Sequence, residues 1–157
     1  MPGVGDRNAS ARDSRMTNAP LRVLFLCTGN SARSQIAEAL LNQKGQGRFH
    51  AESAGSRPAP RVNPLAIEAL GDIGIVWKGR TPRGIGGLER EQWDIVVTVC
   101  DNAREACPVF PGQPTFAHWS LADPAEVQGS EEERKRAFEE TRDLLAHRID
   151  QLISTVR

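Results

Sequence analysis

What the sequence lacks narrows its function before any motif is considered. Acidic and basic side chains balance at twenty each, so no excess of either charge suggests a nucleic-acid or membrane-surface protein. No apolar run approaches the roughly 20 residues of a membrane-spanning helix, and the N-terminus lacks the apolar core of a secretion signal. We therefore expect a cytoplasmic protein with no nucleic-acid or membrane partner.

The chain also has no tyrosine and little cysteine. Its three cysteines, Cys27, Cys100 and Cys107, are an odd number and too few for a disulfide scaffold. In a reducing compartment we expect such thiols to be catalytic, redox-active or simply buried. The three histidines show no metal-ligand spacing, and we predict no metal site from them.

The length of 157 residues suits a single domain with its own core. Residues 1–19 are almost free of apolar side chains. They cannot offset the entropy cost of ordering, so we expect them to be disordered. Either Met1 or Met16 fits as the first residue, and we place the domain at residues 20–157.

Beyond residue 20 the hydrophobic pattern alternates between strand and helix periods. Strands are predicted at 21–26, 49–54, 93–99 and 115–119, and helices from about 31 or 34 to 44, from 63–64 to about 74, over 101–106 and over 131–156. The second helix is predicted to bury Leu65, Ile67, Leu70 and Ile73. This order predicts a three-layer α/β sandwich with a parallel sheet of about four strands. In such folds ligands bind beyond the carboxyl ends of the strands.

The most informative stretch runs from Cys27, at the end of the first strand, into the first helix. A loop containing Gly29 can point successive N–H groups at an oxyanion, and the N-terminus of the helix adds partial positive charge. Both features favour the thiolate of Cys27, which is its nucleophilic form. The predicted oxyanion-binding residues are Thr28, Gly29, Asn30, Ser31, Ala32 and Arg33.

Individual side chains around this loop have separate roles in the prediction. The Arg33 guanidinium matches two oxygens of a phosphate-like dianion. Ser34 can donate to the Cys27 sulfur, and Asn30 can brace the loop from within. Asp123, in a loop after the last strand, is the candidate acid for the leaving oxygen. The plainer interpretations are a buried structural cysteine at 27 and a turn-initiating Asp-Pro pair at 123–124.

Three segments carry a family resemblance. They are Cys-Thr-Gly-Asn-Ser-Ala-Arg-Ser-Gln at 27–35, Val-Cys-Asp-Asn-Ala-Arg-Glu-Ala-Cys-Pro at 99–108 and His-Trp-Ser-Leu-Ala-Asp-Pro-Ala at 118–125. Together they resemble the thioredoxin-coupled arsenate reductases, which have the low-molecular-weight phosphotyrosine phosphatase fold. The first segment is shared with the phosphatases, and the two downstream cysteines separate the reductases from them.

The resemblance implies a relay of three cysteines. Cys27 attacks arsenate held by the loop and Arg33, while Asp123 protonates the departing oxygen. Cys100 then attacks the Cys27 sulfur, which releases arsenite and leaves a Cys27–Cys100 disulfide. Cys107 passes the disulfide outward to Cys100–Cys107, which thioredoxin reduces. No cofactor is tightly bound, and a glutaredoxin or a small thiol stays open as the reductant.

The spacing of the last two cysteines constrains this relay. Seven residues of continuous helix would separate Cys100 from Cys107 by roughly 10 Å. A disulfide needs Cα atoms about 4.4–6.8 Å apart. We therefore predict that the segment between them unwinds on oxidation and is marginally stable.

Some relatives bind a potassium ion behind the loop, through side chains that match Asn30, Glu38 and Ser53 here. A fourth, acidic ligand would fall near position 83, which is Arg83 in this chain. A guanidinium repels a cation and can pair with Glu38 instead, so we predict no potassium site. Some relatives also carry a further cysteine where this chain has Ala32.

Two other functions fit part of the sequence. A low-molecular-weight protein-tyrosine phosphatase would use Cys27, Arg33 and Asp123 alone. Such enzymes usually place aromatic residues around the site, whereas this chain has no tyrosine and has Ala125 after the Asp-Pro pair. A non-enzymatic phosphate-binding or thioredoxin-docking module would not need the Cys27 thiol. We predict an arsenate reductase with, at most, weak phosphatase activity.

Overall fold

The computed structural model describes residues 19–105 and 107–156. Its centre is a four-stranded parallel sheet with the strand order β2-β1-β3-β4. The elements are β1 (Leu21–Cys27), α1 (Arg33–Lys44), β2 (Phe49–Gly55), α2 (Pro64–Gly71), β3 (Ile95–Thr98), α3 (Asp101–Glu105), β4 (Thr115–His118) and α4 (Glu131–Thr155), with short 3-10 helices at Leu88–Arg90 and Pro124–Glu126. Within the described ranges, no helix combines the length and the apolar character needed to cross a bilayer.

The middle of the sheet is covered on both faces. Val23, Leu24, Phe25 and Leu26 in β1 have no exposed surface. Because successive side chains of a strand point to opposite faces, both faces of β1 are buried. Helix α1 packs on β1 and β2, and α4 packs on α1 and α2. The predicted α/β sandwich around a parallel sheet is confirmed.

The strand register brings the chemically important positions to one edge of the sheet. Leu26 pairs with Thr98 on β3, and the Val99 N–H donates to the Leu26 carbonyl at 2.9 Å. Cys27 and Cys100 therefore leave the sheet from neighbouring strands at the same edge. The strand β2 ends there too, because its last residue pairs with Cys27.

Helix α2 begins as predicted and packs Leu65, Ile67 and Leu70 against the core, but its predicted face is only partly correct. Asn63 is its N-cap, and a proline occupies its first turn. Its buried side chains are Ala66, Ala69 and Leu70. Ile73 lies beyond the helix and is 42% exposed, so its predicted place on the buried face is wrong. The short alanine side chains allow α2 to lie close to α4, which large side chains at those positions would prevent.

The other boundaries differ from the prediction by a few residues. The strands predicted at 93–99 and 115–119 are shorter, and α3 covers the first five residues of the helix predicted at 101–106. Residues 1–18, where we predict disorder, lie outside the described part of the chain.

Candidate active site

The loop between β1 and α1 is held from its outer side by residues 56–63. The carbonyl oxygens of Cys27, Thr28, Gly29 and Ser31 accept backbone N–H groups of that segment at 2.8–3.1 Å. In a trans peptide the N–H that follows a carbonyl points in the opposite direction. The N–H groups of residues 28, 29, 30 and 32 therefore face the concave side of the loop, which is the arrangement of an anion-binding nest.

Gly55 supports this loop, and the sequence reasoning gave it no part in the site. It ends β2 directly opposite Cys27. A Cβ atom at position 55 would overlap the Thr28 carbonyl oxygen and press on the Asn30 backbone. In the sequence, the only sign of this role is that a glycine follows the strand predicted at 49–54. The pairing of β1 with β2 shows that this glycine lies against the backbone of the oxyanion loop.

Cys27 is buried at the base of the loop, with 2% of its surface exposed. Its sulfur lies 2.8 Å from Ser34 Oγ and accepts the Asn30 N–H at 3.1 Å. Burial is the largest influence and raises the pKa of the Cys27 thiol, while hydrogen bonds with Ser34 and Asn30 and the Arg33 charge lower it. The net direction of the pKa is upward, opposite to the prediction from the loop dipoles, because desolvation of the thiolate outweighs these contacts.

Asn30 is the internal brace that the sequence predicted. It is fully buried and has a φ of 53°, a left-handed conformation that asparagine tolerates better than most residues. Its Nδ2 donates to Ser34 Oγ at 2.8 Å and to Ser53 Oγ at 2.9 Å. Its Oδ1 accepts Gln35 Nε2 at 3.1 Å and the Arg83 N–H at 2.9 Å. Both donors and both lone pairs of the amide are therefore used.

Arg33 begins α1 and reaches the loop after β4. Its Nη1 donates to the Leu121 carbonyl at 2.8 Å, and its Nη2 lies 3.7 Å from Asp123 Oδ2. The other carboxylate oxygen, Asp123 Oδ1, accepts the Ala125 N–H at 2.9 Å and starts the 3-10 helix there. One carboxylate oxygen therefore starts the turn, as the plainer interpretation predicts, and the other faces Arg33. The role of Asp123 as the acid stays a prediction.

Cys100 follows β3 and contacts the oxyanion loop. Its sulfur lies 3.2 Å from Thr28 Oγ1 and 3.4 Å from the Ala103 backbone nitrogen, which donates to it. Cys100 is 7% exposed and is a free thiol, as Cys27 is. The structure therefore brings Cys100 to the loop that begins at Cys27, as the parallel sheet predicts.

Cys107 lies farther out, beyond the end of α3. It is a half-buried free thiol, and burial raises its pKa. With Phe116 and His118 it lines a groove of about 680 Å³ beside β4. His118 also holds the start of α3, because its Nε2 lies 2.8 Å from Asp101 Oδ1. The outermost cysteine is thus the one beside an open groove.

Residues 22–157 match the family described as low molecular weight phosphotyrosine protein phosphatase. The chain belongs to this family. An arsenate reductase of Bacillus subtilis is 37% identical over 133 residues, which cover 85% of this chain and 95% of that protein. The solved structure of an arsenate reductase in the phosphate binding state has a TM-score of 0.70 at 29% identity, covering 87% of this chain and 99% of that one. A thioredoxin-dependent arsenate reductase of Corynebacterium glutamicum has a TM-score of 0.67 at 26% identity, covering 94% of this chain and 67% of that one. The resemblance inferred from the three sequence segments is confirmed.

Behind the loop of this phosphatase-family fold, the charged pairs differ from the prediction. Arg83 pairs with Glu52, and its Nε donates to the Ser53 carbonyl at 3.1 Å. Glu38 pairs with Arg80 at 2.8 Å. The predicted pair of Arg83 with Glu38 is therefore wrong, because the Arg83 side chain lies along β2 and a second arginine reaches the carboxylate.

The residues matched to a potassium site do not fit that ion. Ser53 Oγ donates to Glu38 Oε1 at 2.6 Å and accepts from Asn30, whose own Oδ1 already accepts two N–H groups. The positive charge beside Glu38 comes from Arg80. Over the described residues, no three His, Cys, Asp or Glu side chains form a group that could hold a metal ion. The absence of potassium binding stays a prediction.

Proposed function

We propose that this phosphatase-family protein reduces arsenate to arsenite with three thiols and receives electrons from thioredoxin. The observation that carries the proposal is the position of Cys100, whose sulfur lies 3.2 Å from Thr28 Oγ1 in the oxyanion loop. Phosphoryl transfer to Cys27 requires no second thiol at that place. The similarity to proteins named arsenate reductase supports the same function.

In the first step, the Cys27 thiolate attacks arsenate bound by the loop N–H groups and by Arg33. A sulfur–arsenic bond forms as an arsenic–oxygen bond breaks, and Asp123 supplies the proton that the departing oxygen takes. Arg33 suits both the binding of arsenate and the placing of the acid, because it directly follows the loop and its guanidinium lies near the Asp123 carboxylate.

The second and third steps carry electrons inward to arsenic and move the resulting disulfide outward, from one cysteine pair to the next. The Cys100 thiolate attacks the Cys27 sulfur, so a disulfide forms and the electron pair of the sulfur–arsenic bond passes to arsenic. Arsenic(V) thereby becomes arsenic(III), which leaves as arsenite. Cys107 then attacks the Cys100 sulfur and releases the Cys27 thiolate. The dithiol of thioredoxin reduces the Cys100–Cys107 disulfide and is itself oxidised to a disulfide.

The exposure of the cysteines supports this outward path of the disulfide. Cys27 and Cys100 are buried, whereas Cys107 is half-buried beside a groove that a protein reductant can approach. Because thiols of this kind stay reduced only in a reducing compartment, we propose that the protein works in the cytoplasm.

The test is arsenite release in the presence of thioredoxin, thioredoxin reductase and NADPH. Wild type is expected to turn over repeatedly. Cys107→Ser is expected to release one arsenite per chain and stop as a Cys27–Cys100 disulfide, while Cys27→Ser and Cys100→Ser release none. Turnover of both Cys100→Ser and Cys107→Ser at the wild-type rate would contradict the relay. Replacing thioredoxin with glutaredoxin and glutathione identifies the reductant.

A weak phosphatase activity is the second candidate, favoured by the approach of Arg33 to Asp123 at the rim of the loop. Hydrolysis of a small aryl phosphate would use Cys27, Arg33 and Asp123 only. It is expected to persist in the Cys100→Ser Cys107→Ser double variant and to disappear in Cys27→Ser. Phosphatase activity without arsenite release would make phosphate ester hydrolysis the main function.

A further inference from the structure

We propose that Arg80 is a positioning residue for the oxyanion loop, and that its guanidinium acts as a built-in cation that fixes Asn30 through two separate chains of contacts. The inference concerns the site described above. It rests on the proposed function only where arsenate turnover is measured, because the order of the loop also governs phosphate binding and the ionisation of Cys27.

The first chain of contacts runs through a buried carboxylate. Arg80 Nη1 donates to Glu38 Oε2 at 2.8 Å, and the Glu38 side chain is only 11% exposed. Ser53 Oγ donates to the other oxygen of Glu38 at 2.6 Å and accepts Asn30 Nδ2 at 2.9 Å. A carboxylate at such a depth needs a partner of opposite charge to remain ionised, and Arg80 supplies it.

The second chain runs through an indole. The Arg80 guanidinium lies 3.8 Å from the centre of the Trp77 ring, within the range of a cation–π contact. Trp77 Nε1 donates to Gln35 Oε1 at 2.9 Å. Gln35 Nε2 then donates to the Asn30 carbonyl and to Asn30 Oδ1, both at 3.1 Å. Arg80 and Asn30 are therefore connected by two separate routes, which together form a ring of contacts.

Local sequence explains why Arg80 reaches both partners. Gly79 has a φ of +70°, which turns the chain so that Arg80 folds back over Trp77. The flat guanidinium can stack on a ring with its face while its edge pairs with a carboxylate. A lysine would keep the charge beside Glu38 but would lose the planar stack.

Through Asn30 this ring of contacts acts on the Cys27 thiol. The Asn30 backbone N–H donates to the Cys27 sulfur, and the contacts around Asn30 support its left-handed φ of 53°. Burial raises the pKa of Glu38, and the hydrogen bonds with Ser53 and Arg80 and the charges of Arg80 and Arg83 offset this only in part. Without Arg80 the pKa would rise further, because Arg83 pairs directly with Glu52 and not with Glu38. The carboxylate that holds Ser53, and through it Asn30, would then be a weaker acceptor.

The test uses full-length protein in a Cys100→Ser Cys107→Ser background, so that Cys27 is the only thiol. Affinity for inorganic phosphate is measured as protection of Cys27 from iodoacetamide, and the pKa of Cys27 from thiolate absorbance. Arg80→Ala is expected to weaken phosphate binding about tenfold and to raise the pKa of Cys27. Millimolar guanidinium chloride is expected to restore most of both properties.

Three further variants separate a positioning role from a general loss of stability. Arg80→Lys keeps the contact with Glu38 but loses the stack on Trp77. Trp77→Phe keeps an aromatic ring beneath Arg80 but removes the N–H that binds Gln35. Each variant is expected to weaken phosphate binding less than Arg80→Ala does. Arg48→Ala is the matched control. Arg48 also lies over an aromatic ring, 5.4 Å from the centre of Phe49, but at the start of β2, away from the site. It is expected to change neither phosphate affinity nor the pKa of Cys27.

Wild-type phosphate affinity in Arg80→Ala, or a loss that guanidinium does not restore, would overturn the inference. If Arg80→Ala does not fold, wild-type values in both Arg80→Lys and Trp77→Phe would overturn it as well. Failure of the proposed function appears differently, as wild-type enzyme that releases no arsenite while Arg80→Ala still binds phosphate weakly.

Discussion

The oxyanion loop at 27–33 and the redox segment at 100–112 meet at the same edge of the sheet but are held very differently. The loop is held on two sides: residues 56–63 bind its carbonyls, and a fully buried Asn30 braces it from within. Among its described residues, the redox segment has one helix, the five-residue α3, and beyond it Val109 has 92% of its surface exposed, although Phe110 is buried.

This difference separates binding from electron transfer. An oxyanion is bound tightly by donors that are already in place, so rigidity serves the loop. A disulfide relay requires sulfur atoms to change partners, so a segment with few buried contacts and a short helix suits the cysteines that must move. Five predictions test whether the two regions are as distinct as the structure indicates.

The largest effect is expected from Asp123→Asn. Asparagine keeps the side-chain oxygen that accepts the Ala125 N–H but cannot donate a proton as an acid. The kcat for aryl phosphate hydrolysis is expected to fall about 100-fold or more, with an unchanged melting temperature. Asp101→Asn, a carboxylate of the redox segment, is the control and is expected to change this kcat less than about twofold. Equal losses of kcat in the two variants would show that Asp123 has no special role as the acid.

Asn30→Ala and Asn102→Ala compare the stability of the two regions. Removing the Asn30 amide takes one buried hydrogen-bond partner from each of Ser34, Ser53 and Gln35 and places alanine at a positive φ. The free energy of unfolding in urea is expected to fall by about 2–4 kcal/mol. Asn102 is exposed on α3, and its replacement is expected to cost less than about 0.5 kcal/mol. Similar costs would show that the redox segment is as firmly built as the loop.

Oxidation is expected to affect only the redox segment. Amide exchange over residues 101–112 is expected to rise when the Cys100–Cys107 disulfide forms, because the two cysteines flank α3 and we expect the helix to unwind as their sulfurs come together. Exchange in the first turn of α1 is expected to stay the same. Identical protection of 101–112 in both redox states would count against the relay.

Ser34→Ala tests how the loop controls its own thiol. The Ser34 hydroxyl lowers a Cys27 pKa that burial raises above its ordinary value. Its loss is expected to raise the pKa further, because one of the contacts that favour the thiolate disappears. Because a thiol ionises as pH increases, the alkylation rate of Cys27 is expected to rise with pH in both proteins, with the Ser34→Ala curve displaced to higher pH. Cys107 alkylation in the same variant is the control and is expected to keep its wild-type pH profile.

The smallest effect is expected from potassium. Arg80 already neutralises Glu38 behind the loop, so melting temperature and activity are expected to be equal in potassium chloride and sodium chloride. Stabilisation by potassium beyond that by sodium would show that the arginine does not replace a bound cation.

Prediction from sequence succeeded where the physical signal is local. The apolar run before Cys27, the Asn63-Pro64 helix start and the long amphipathic α4 each carry their own pattern, and the structure contains all three. It failed where a choice depends on distant neighbours. Arg80 and Arg83 are equally plausible partners for Glu38 in the sequence, and only the path of the chain beside β2 assigns one to Glu38 and the other to Glu52.

The sequence by itself determined the fold class, the family and the candidate thiols, because strand, loop and helix signals and the cysteine spacing are properties of short segments. Tertiary structure alone decided the upward direction of the Cys27 pKa, the need for glycine at position 55 and the ring of contacts from Arg80 to Asn30. Each of these depends on how deeply a group is buried and which remote backbone or charge lies against it. Desolvation and close approach arise only when the chain has folded.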